Sequence, residues 1–341
     1  MSLPLPRPFP PMEADPADEI PTGPDWQYEP KWDGFRCLAF RDGDVVELQS
    51  KSGQPLTRYF PELSSSLAAL KPKQFVLDGE IVVPIGNDLS FDELLMRIHP
   101  AESRVKKLAR EHPSMLIAFD LLVDDRGHSL VDEPLRARRP KLEQFADRVF
   151  EGDGVWLSPA TCNLSEAKKW LRSMGGGLDG IIAKRLDVPY RSGERTGMEK
   201  IKNLRSADCV VGGFRYAAKG GYVGSLLLGL YDEDGLLHHV GFTSSIQARE
   251  REEVTRKLES ANGGSGFTGR APGGPSRWSN KRSTEWEALE PRFVVEVQYD
   301  HFTGGRFRHG TKLLRWRPDK APEQCLMKQV ERESRSPLNL L

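Results

Sequence analysis

Residues 29–36 read EPKWDGFR and place a lysine in a fixed pattern with an acid, a glycine and an arginine. Lys31, Asp33 and Arg36 follow the spacing K-x-D-G-x-R, in which Gly34 allows a tight backbone turn. A lysine becomes a nucleophile when neighbouring cations or a metal favour its neutral form, and Arg36 supplies one such cation. The stretch therefore predicts a nucleophilic lysine near a strand, beside an acid that can hold a metal ion or its water.

Two other apolar stretches carry acids that a buried strand normally avoids. Residues 75–83 read FVLDGEIVV, with Asp78 and Glu80 inside the apolar run. Residues 178–185 read LDGIIAKR, with Asp179 before a glycine and Lys184 near the end of the strand. Carboxylates inside such strands are costly unless they bind something, so both stretches predict ligands for a metal or a substrate. A hairpin turn at Asp78-Gly79 is the alternative interpretation of the first.

A third pattern supplies cations for phosphate. Lys200 and Lys202 flank Ile201, and strand alternation places both lysines on one face. Two ammonium groups on one face repel each other unless an anion such as phosphate lies between them. A lysine nucleophile, carboxylates for a divalent metal and further lysines together indicate nucleotidyl transfer. The sequence lacks G-x-x-x-x-G-K-[ST], which excludes a P-loop enzyme.

Length and composition limit the class of protein. The chain has 341 residues, 38% of them hydrophobic and 29% charged, which fits a two-domain globular protein. Its 49 basic and 49 acidic residues exclude a surface coated in positive potential, but not one basic face for nucleic acid. The four cysteines show no CxxC spacing, so we expect neither a zinc ribbon nor a disulfide framework. No apolar run reaches ~18 residues, so we expect no membrane association.

The order of strand and helix signals predicts an α+β fold. Residues 1–24 are Pro-rich and are expected to form an extended arm or a disordered leader. In residues 25–204 strands and helices do not alternate strictly, which predicts mostly antiparallel sheets with helices packed outside. In residues 205–341 five strand-like runs surround one charged helix, predicted at 246–259 between the third and fourth strands. That order is typical of an OB-fold β-barrel.

Taken together, these motifs resemble those of the covalent nucleotidyltransferase superfamily of ATP-dependent DNA ligases, RNA ligases and mRNA capping enzymes. They occur in the family's order from about residue 26 to about residue 330. The resemblance implies an ATP-grasp-like nucleotidyltransferase domain followed by an OB-fold domain. Residues 50–53 read SKSG and resemble the family's next motif, which more often has Arg where Lys51 stands. Residues 118–122 resemble the motif whose aromatic residue, here Phe119, stacks on the nucleobase.

The resemblance also implies roles for individual residues. The family's second metal motif usually has Glu where this chain has Asp179. The expected metal ligands, for Mg²⁺ or Mn²⁺, are Asp33, Glu80 and Asp179. The expected catalytic residues are Lys31, Asp33, Arg36, Lys184, Lys200 and Lys202. The residues expected to bind ATP are Glu29, Lys31, Arg36, Lys51, Glu80, Phe119, Lys184, Lys200, Lys202, Arg317, Asp319 and Lys320.

The C-terminal part narrows the resemblance. Residues 315–320 read RWRPDK and are similar to the motif that contacts the β- and γ-phosphates of ATP, which favours ATP over NAD. Together with SLLLGLY at residues 225–231, this ending looks like that of bacterial repair ligases of the ligase C and ligase D group. The resemblance implies a DNA ligase that seals nicks through a covalent Lys31–AMP and a DNA-adenylate, in DNA repair or end joining.

The same resemblance implies partners and a location. We expect nicked duplex DNA as substrate, a repair polymerase or end-joining proteins as partners, and a monomer in the bacterial cytoplasm, at the nucleoid when on DNA. The loop 260–282 carries Arg270, Arg277, Lys281 and Arg282 and is a candidate DNA contact. Two rival hypotheses stay open: an RNA ligase or GTP-using capping enzyme, and a catalytically inactive nucleic-acid-binding module. The joint presence of Lys31, the acids and the lysine pair argues against the second.

Overall fold

The structure, a computed structural model, describes residues 3–150, 152, 154–173, 178–219, 221–273, 285–331 and 336–341. The chain divides into two compact units. Unit 1 comprises Met1–Asn203 and Ser334–Leu341, and unit 2 comprises Leu204–Glu333.

Unit 1 is a mixed α and β domain. Its strands are β1 (Asp15–Pro16), β2 (Trp26–Lys31), β3 (Phe35–Asp42), β4 (Val45–Ser50), β5 (Gln74–Val82), β6 (Pro84–Ile85), β7 (Asp88–Leu89), β8 (Met115–Val123), β9 (Val155–Leu157), β10 (Gly180–Arg185) and β11 (Met198–Lys202). Its helices are α1 (Pro61–Ala69), α2 (Phe91–Met96), α3 (Glu102–Glu111), α4 (Leu135–Val149) and α5 (Leu164–Ser173).

Two sheets organise this unit. One has the strand order β4-β3-β5-β8-β9, and the other has the order β1-β11-β10-β2. All neighbouring pairs are antiparallel except β8 with β9 and β1 with β11. Helices α1 and α4 cover one face of the larger sheet, and α5 packs on the smaller one. The predicted α+β class, with mostly antiparallel sheets and outer helices, is therefore confirmed.

The N-terminal arm covers the second face of the larger sheet. Strand alternation turns Leu38 and Phe40 away from the helices, and Leu3, Leu5 and Phe9 of the arm pack against this face and are buried. The backbone N–H and C=O of Phe9 both bond the side-chain amide of Gln49. The arm is thus part of unit 1, whereas the sequence analysis treated residues 1–24 as a separate segment. The physical reason is that its apolar side chains, which lie between prolines in the sequence, are buried in the hydrophobic core of unit 1.

The C-terminal end also departs from the predicted division. Residues 205–341 were assigned to the OB-fold domain, but the last residues belong to unit 1. Leu338, Leu340 and Leu341 pack against a cluster around Trp32 and Val82. The physical reason is apolar burial: this short segment ends in leucines that find partners in unit 1.

In the residues that the structure describes, unit 2 is a barrel of five main strands with one α-helix and three short two-residue strands. Its elements are β12 (Arg205–Tyr216), β13 (Val223–Tyr231), β14 (Leu237–Thr243), α6 (Arg251–Glu259), β15 (Glu287–Ala288), β16 (Val294–Tyr299), β17 (Phe302–Thr303), β18 (Arg306–Phe307) and β19 (Lys312–Trp316). The main strands follow the order β14-β13-β12-β16-β19, and a bridge between Thr243 and Thr311 joins the two edges. The helix lies between the third and fourth main strands in sequence, so the predicted OB-type order is confirmed.

The candidate hairpin turn at Asp78-Gly79 is wrong. Both residues lie inside β5, paired with β3 on one side and β8 on the other. Gly79 is needed here because a Cβ atom would stand 2.7 Å from the carbonyl oxygen of Ile117. The acid and the glycine therefore belong to a central strand.

Gly180 provides a test of how closely β10 and β11 must approach. Its φ of +143° disfavours other residues, and a Cβ atom would collide with the carbonyl oxygen of Ile201. Gly43, with a φ of +62° and open space around it, is the matched control. We expect Gly43→Ala to cost about 1–2 kcal/mol from its backbone alone. Gly180→Ala should cost at least about 1 kcal/mol more. Calorimetry of the intact chain measures both, and equal losses would show that the collision is relieved.

Candidate active site

Strand pairing brings the predicted nucleophile beside a predicted metal ligand. Lys31 ends β2 and lies opposite Gly180 at the start of β10. The backbone N–H of Asp179 bonds the carbonyl of Lys31 at 2.9 Å, and the Lys31 ammonium forms an ion pair with the Asp179 carboxylate. The Lys31 side chain remains 23% exposed, so its nitrogen is held in place and still reachable.

A buried network fixes the guanidinium of Arg36. The Asp78 carboxylate accepts hydrogen bonds from Arg36 Nε at 2.5 Å and from Nη2 at 2.6 Å. The same carboxylate accepts a bond from the Tyr190 hydroxyl at 2.6 Å. Arg36 Nη2 also donates to the carbonyl of Met12, whose N–H donates to Tyr190. Asp78 is fully buried, and a buried carboxylate is stable only when it is paired with a cation and hydrogen-bonded. The bidentate bond from Arg36 and the bond from Tyr190 supply both.

Phe119 is flanked by two cations. The Arg36 guanidinium lies 4.5 Å from its ring centroid, and the Lys184 nitrogen lies 4.6 Å from it. Cations favour the electron-rich ring faces, which are also the surfaces on which a purine stacks. Arg36, Phe119 and Lys184 line a small cavity of about 80 Å³ with Glu29 and Lys31.

Lys184 lies in the small cavity around Phe119, which Lys31 also lines. Its nitrogen bonds the Glu29 carboxylate at 2.7 Å and donates to the carbonyl of Phe119 at 3.4 Å, and its role on the transferring phosphate stays a prediction. Both Lys184 and Glu29 are buried. Lys184 thus belongs to the pocket around Phe119, whereas Lys200 lines a second, larger cavity. Lys184 and Lys200 lie on the same face of the β10-β11 pair but at different positions along it, since Met198 is opposite Lys184 and Ile182 is opposite Lys200.

The larger cavity, of about 800 Å³, has a cationic wall. Lys31, Arg36, Lys51 and Lys200 line it together with Glu80. The pKa of Lys200 is lowered, first by burial and then by the positive charges of Lys51 and Lys31. The positive charges in such a cluster repel one another, and a bound phosphate chain would reduce that repulsion.

The N-terminal arm supplies the opposite charge to this cavity. Pro11, Met12, Glu13 and Ala14 form part of the wall. The Glu13 carboxylate lies 2.9 Å from Lys51 Nζ and 3.4 Å from Arg195. Its hydrogen bond with Lys51 holds the pKa of Glu13 below its usual range.

Glu80 is the carboxylate with the strongest demand for a cation. Burial raises its pKa to about 7, Asp33 and Asp78 add to the rise, and Lys31 and Arg36 oppose it. In the part of the chain that the structure describes, no three His, Cys, Asp or Glu side chains form a preassembled metal site. The predicted set of Asp33, Glu80 and Asp179 is therefore not gathered as a triad. Magnesium is commonly held by one or two carboxylates plus substrate phosphates, so the three acids stay predicted ligands.

The predicted phosphate motif of unit 2 is held by ion pairs. Arg317 bonds Asp319 through Nε at 3.0 Å and through Nη2 at 2.8 Å. Arg317 and Lys320 both bond Asp208, at 2.8 Å and 2.6 Å. Arg270 donates to the carbonyl of Gly304 at 3.2 Å and also to that of Gly305. Of the other loop cations named above, Arg277, Lys281 and Arg282 lie outside the described residues.

Three residues that contact the predicted site residues were not predicted from the sequence. Met12, Glu13 and Tyr190 come from segments with no recognisable motif. The one available signal was Asp78, an acid inside an apolar strand that required a buried partner. The sequence did not show that Arg36 and Tyr190 would both supply it, since Tyr190 is 112 residues away.

Two family models match the chain. The ATP dependent DNA ligase domain matches residues 11–202, and the ATP dependent DNA ligase C terminal region matches residues 219–320. The chain belongs to the ATP-dependent DNA ligases. It is 43% identical to DNA ligase C1 of Mycolicibacterium smegmatis over 351 residues, covering 99% of this chain and 97% of that protein. The resemblance drawn from the motifs is confirmed.

Two further matches are more distant. The multifunctional non-homologous end joining DNA repair protein LigD of Mycobacterium tuberculosis is 30% identical over 317 residues, 88% of this chain and 37% of that protein. A solved structure from the Lig E DNA ligases matches with a TM-score of 0.53 at 16% identity, covering 89% of this chain and 99% of that one. That likeness shows the fold alone. Among the described residues, no helix is long and apolar enough to cross a membrane.

Tyr190→Phe tests whether the buried network positions Arg36 in this ligase. The variant keeps the ring contacts with Phe9 and Arg138 but loses the hydroxyl that bonds Asp78 and Met12. We expect the KM for ATP in lysyl-AMP formation to rise about tenfold, because a bond to a charged group is lost. Tyr28→Phe is the matched control, since its hydroxyl bonds only the arm carbonyl of Pro21 at 2.7 Å. Equal changes in the two variants would contradict the role.

The raised pKa of Glu80 predicts a pH-dependent stability. Between its ordinary value of 4.5 and about 7, the folded chain keeps a proton on Glu80 that the unfolded chain has released. The free energy of unfolding from this group therefore falls as pH rises through that window. Glu80→Gln removes the dependence, so the variant should gain stability relative to the wild type between pH 5 and pH 8. Denaturant titrations measure it.

Glu102→Gln is the control for this experiment. Lys106 lowers the pKa of the exposed Glu102, which therefore titrates below the window and should leave the profile unchanged. Parallel profiles for the wild type and Glu80→Gln would show that Glu80 is already ionised at pH 5.

Proposed function

We propose that this chain seals nicks in duplex DNA through a covalent Lys31–AMP and a DNA-adenylate. One observation carries the proposal. The Lys31 nitrogen is held by Asp179 at the wall of a cavity lined by Arg36, Lys51 and Lys200. A fixed, reachable amine facing clustered cations is what attack on a nucleotide phosphate requires.

The reaction has three balanced steps. The Lys31 ammonium first releases a proton to solvent, and its Nζ then attacks the α-phosphorus of ATP, so that an N–P bond forms, the bond to pyrophosphate breaks and a second N–H proton passes to solvent. An oxygen of the 5′-phosphate at the nick then attacks the same phosphorus, and the N–P bond breaks. Finally the 3′-hydroxyl attacks the 5′-phosphorus, AMP leaves, and the hydroxyl proton passes to solvent.

The pocket around Phe119 is the proposed nucleoside site. Phe119 is the proposed stacking residue, and Glu29 and Lys184 line the same pocket as a buried acceptor and donor. Arg36, fixed by Asp78, lies between this pocket and the larger cavity, since it lines both. It can therefore bond the ribose or the α-phosphate.

The lysines of the larger cavity are the proposed phosphate ligands. Lys200 and Lys51 face the cavity, and Lys202 shares the strand of Lys200. Arg317, Asp319 and Lys320 of unit 2 are proposed to act on the pyrophosphate end of ATP in the first step. Lys51 and Lys200 also suit the 5′-phosphate in the second step, after Glu13 releases Lys51.

Glu80 and Asp179 are the proposed ligands of a divalent cation, Mg²⁺ or Mn²⁺, with Asp33 holding a bound water. The raised pKa of Glu80 supports this, because a cation would favour its ionised form. The ion would neutralise charge on the phosphates during transfer. The Asp179 carboxylate would then interact with both the cation and the Lys31 nitrogen.

The proposed setting is DNA repair or end joining in the bacterial cytoplasm, at the nucleoid when the enzyme is on DNA. The name of the relative LigD, an end-joining repair protein, supports it. A monomer with a repair polymerase or end-joining proteins as partners is the simplest arrangement.

Incubation with α-labelled ATP tests the proposal. We expect a label on the denatured wild-type chain with Mg²⁺ or Mn²⁺, and loss of that label on addition of nicked DNA as the nick is sealed. Lys31→Ala should carry no label, because the only bond to AMP is the one its nitrogen forms. A chelator should abolish labelling of the wild type. Lys168→Ala, on an exposed face of α5, is the control and should label normally.

The other outcomes assign the chain elsewhere. Absence of label with either metal would leave an inactive nucleic-acid-binding module. Label that passes only to RNA ends, or that forms only from GTP, would move the chain to another branch of the superfamily.

A further inference from the structure

Asp208 joins the two cations of the C-terminal phosphate motif. Its Oδ1 accepts a hydrogen bond from Arg317 Nη1 at 2.8 Å, and its Oδ2 accepts one from Lys320 Nζ at 2.6 Å. One carboxylate thus sets the separation between two cations that belong to a single short segment. Asp208 lies 109 residues before Arg317 in sequence, and no motif pointed to it.

The backbone of Asp208 is fixed from both sides. It lies in β12, opposite Glu296 of β16. Its N–H bonds the side-chain oxygen of Gln329 at 2.9 Å, and its carbonyl accepts from the side-chain nitrogen of Gln329 at 2.8 Å. The carboxylate therefore projects from a rigid strand, which is a better support for a site than a loop.

The cations it holds are attached to mobile stems. Lysine and arginine side chains lose more rotamer freedom on ordering than most residues. A second carboxylate, Asp319, bonds the other edge of Arg317, and this bond lowers the pKa of Asp319 to about 2. Lys320 donates to Asp208 and keeps further N–H groups for another acceptor.

Exposure shows which part of the cluster a phosphate can reach. The side chain of Asp208 is 13% exposed, whereas those of Arg317 and Lys320 are 19% and 24% exposed. The carboxylate is the most buried member, and the cations are more accessible. Asp208 therefore holds the two more exposed donors, Arg317 and Lys320, from the less exposed side of the cluster.

We propose that Asp208 is a positioning residue for the first step, which orders Arg317 and Lys320 for the pyrophosphate end of ATP. The inference rests on the proposed function, in which these two cations act on ATP. Its consequence is specific to one step, because sealing of a DNA strand that already carries AMP uses no ATP.

Asp208→Asn is the test variant. It has the same shape and keeps one oxygen, but it loses the charge and replaces one acceptor with a donor that cannot serve Lys320 or Arg317. Two rates are measured with the intact chain: formation of lysyl-AMP at limiting ATP, and sealing of a nick whose 5′ end is already adenylylated. We expect the first rate to fall at least about tenfold. The second should stay within about twofold of the wild type.

Glu296→Gln is the matched control. Glu296 pairs with Asp208 across the sheet and lies 3.9 Å from the same Arg317 nitrogen, but its own bond is to Arg315 at 2.7 Å. The variant removes one negative charge near Arg317 without removing the anchor, so lysyl-AMP formation should stay within about twofold.

The outcomes separate this inference from the proposed function. If Arg317→Ala and Lys320→Ala leave lysyl-AMP formation unchanged, the proposed role of the motif is wrong whatever Asp208 does. If both slow that step but Asp208→Asn does not, or accelerates it, the anchor is wrong and the motif role stands. A parallel fall in both rates of Asp208→Asn would show a general structural defect and would also overturn the inference.

Discussion

The antiparallel pairing of β2 with β10 is the constraint on which the site of this ligase depends. It places Lys31 opposite Gly180, so that a lysine and an aspartate 148 residues apart share one ion pair. On its other side β10 pairs with β11, and Gly180 allows that close approach because a Cβ atom would collide with the carbonyl oxygen of Ile201. Gly34 has the same function after Lys31, where a Cβ would collide with Ile81. Gly34 and Gly180 are therefore required for close strand packing as well as for backbone conformation.

Charge in the site is managed through buried pairs. Arg36 is bonded to Asp78 and Lys184 is bonded to Glu29, and in each pair the carboxylate is almost fully buried. Removing one partner of such a pair typically costs about 3–5 kcal/mol, because a charge is left alone in a poor solvent. These ion pairs stabilise the fold little more than apolar packing would, but they fix the positions of the Arg36 and Lys184 side chains. Each holds a cation at the Phe119 ring, so no further ordering of that cation would be needed if a nucleotide binds there as proposed.

The candidate site residues were easier to predict from the sequence than the residues that support them. Lys31, Glu80 and Phe119 stand in motifs with fixed spacing, and the structure brings all three to the lining of one small cavity. The OB-type order of strands followed from local patterns. The partner of Lys184 was not predicted, because a motif gives the strand but not the neighbours that will pair with its lysine. Tyr190 and Met12 were missed for a different reason. Their contribution depends on a contact across more than 100 residues, and local periodicity carries no information about such contacts.

The N-terminal arm shows how a segment with a loop-like composition becomes part of a binding site. A Pro-rich chain has fewer conformations to lose, so ordering it costs less than ordering an average segment. Leu3, Leu5 and Phe9 bury enough apolar surface to fix its path along the larger sheet. Once the path is fixed, the carbonyl of Met12 reaches Arg36 and the carboxylate of Glu13 reaches Lys51. The Pro-rich arm therefore forms one wall of the cavity that Lys31 and Lys200 line, and the residues that fix its path lie outside the motifs.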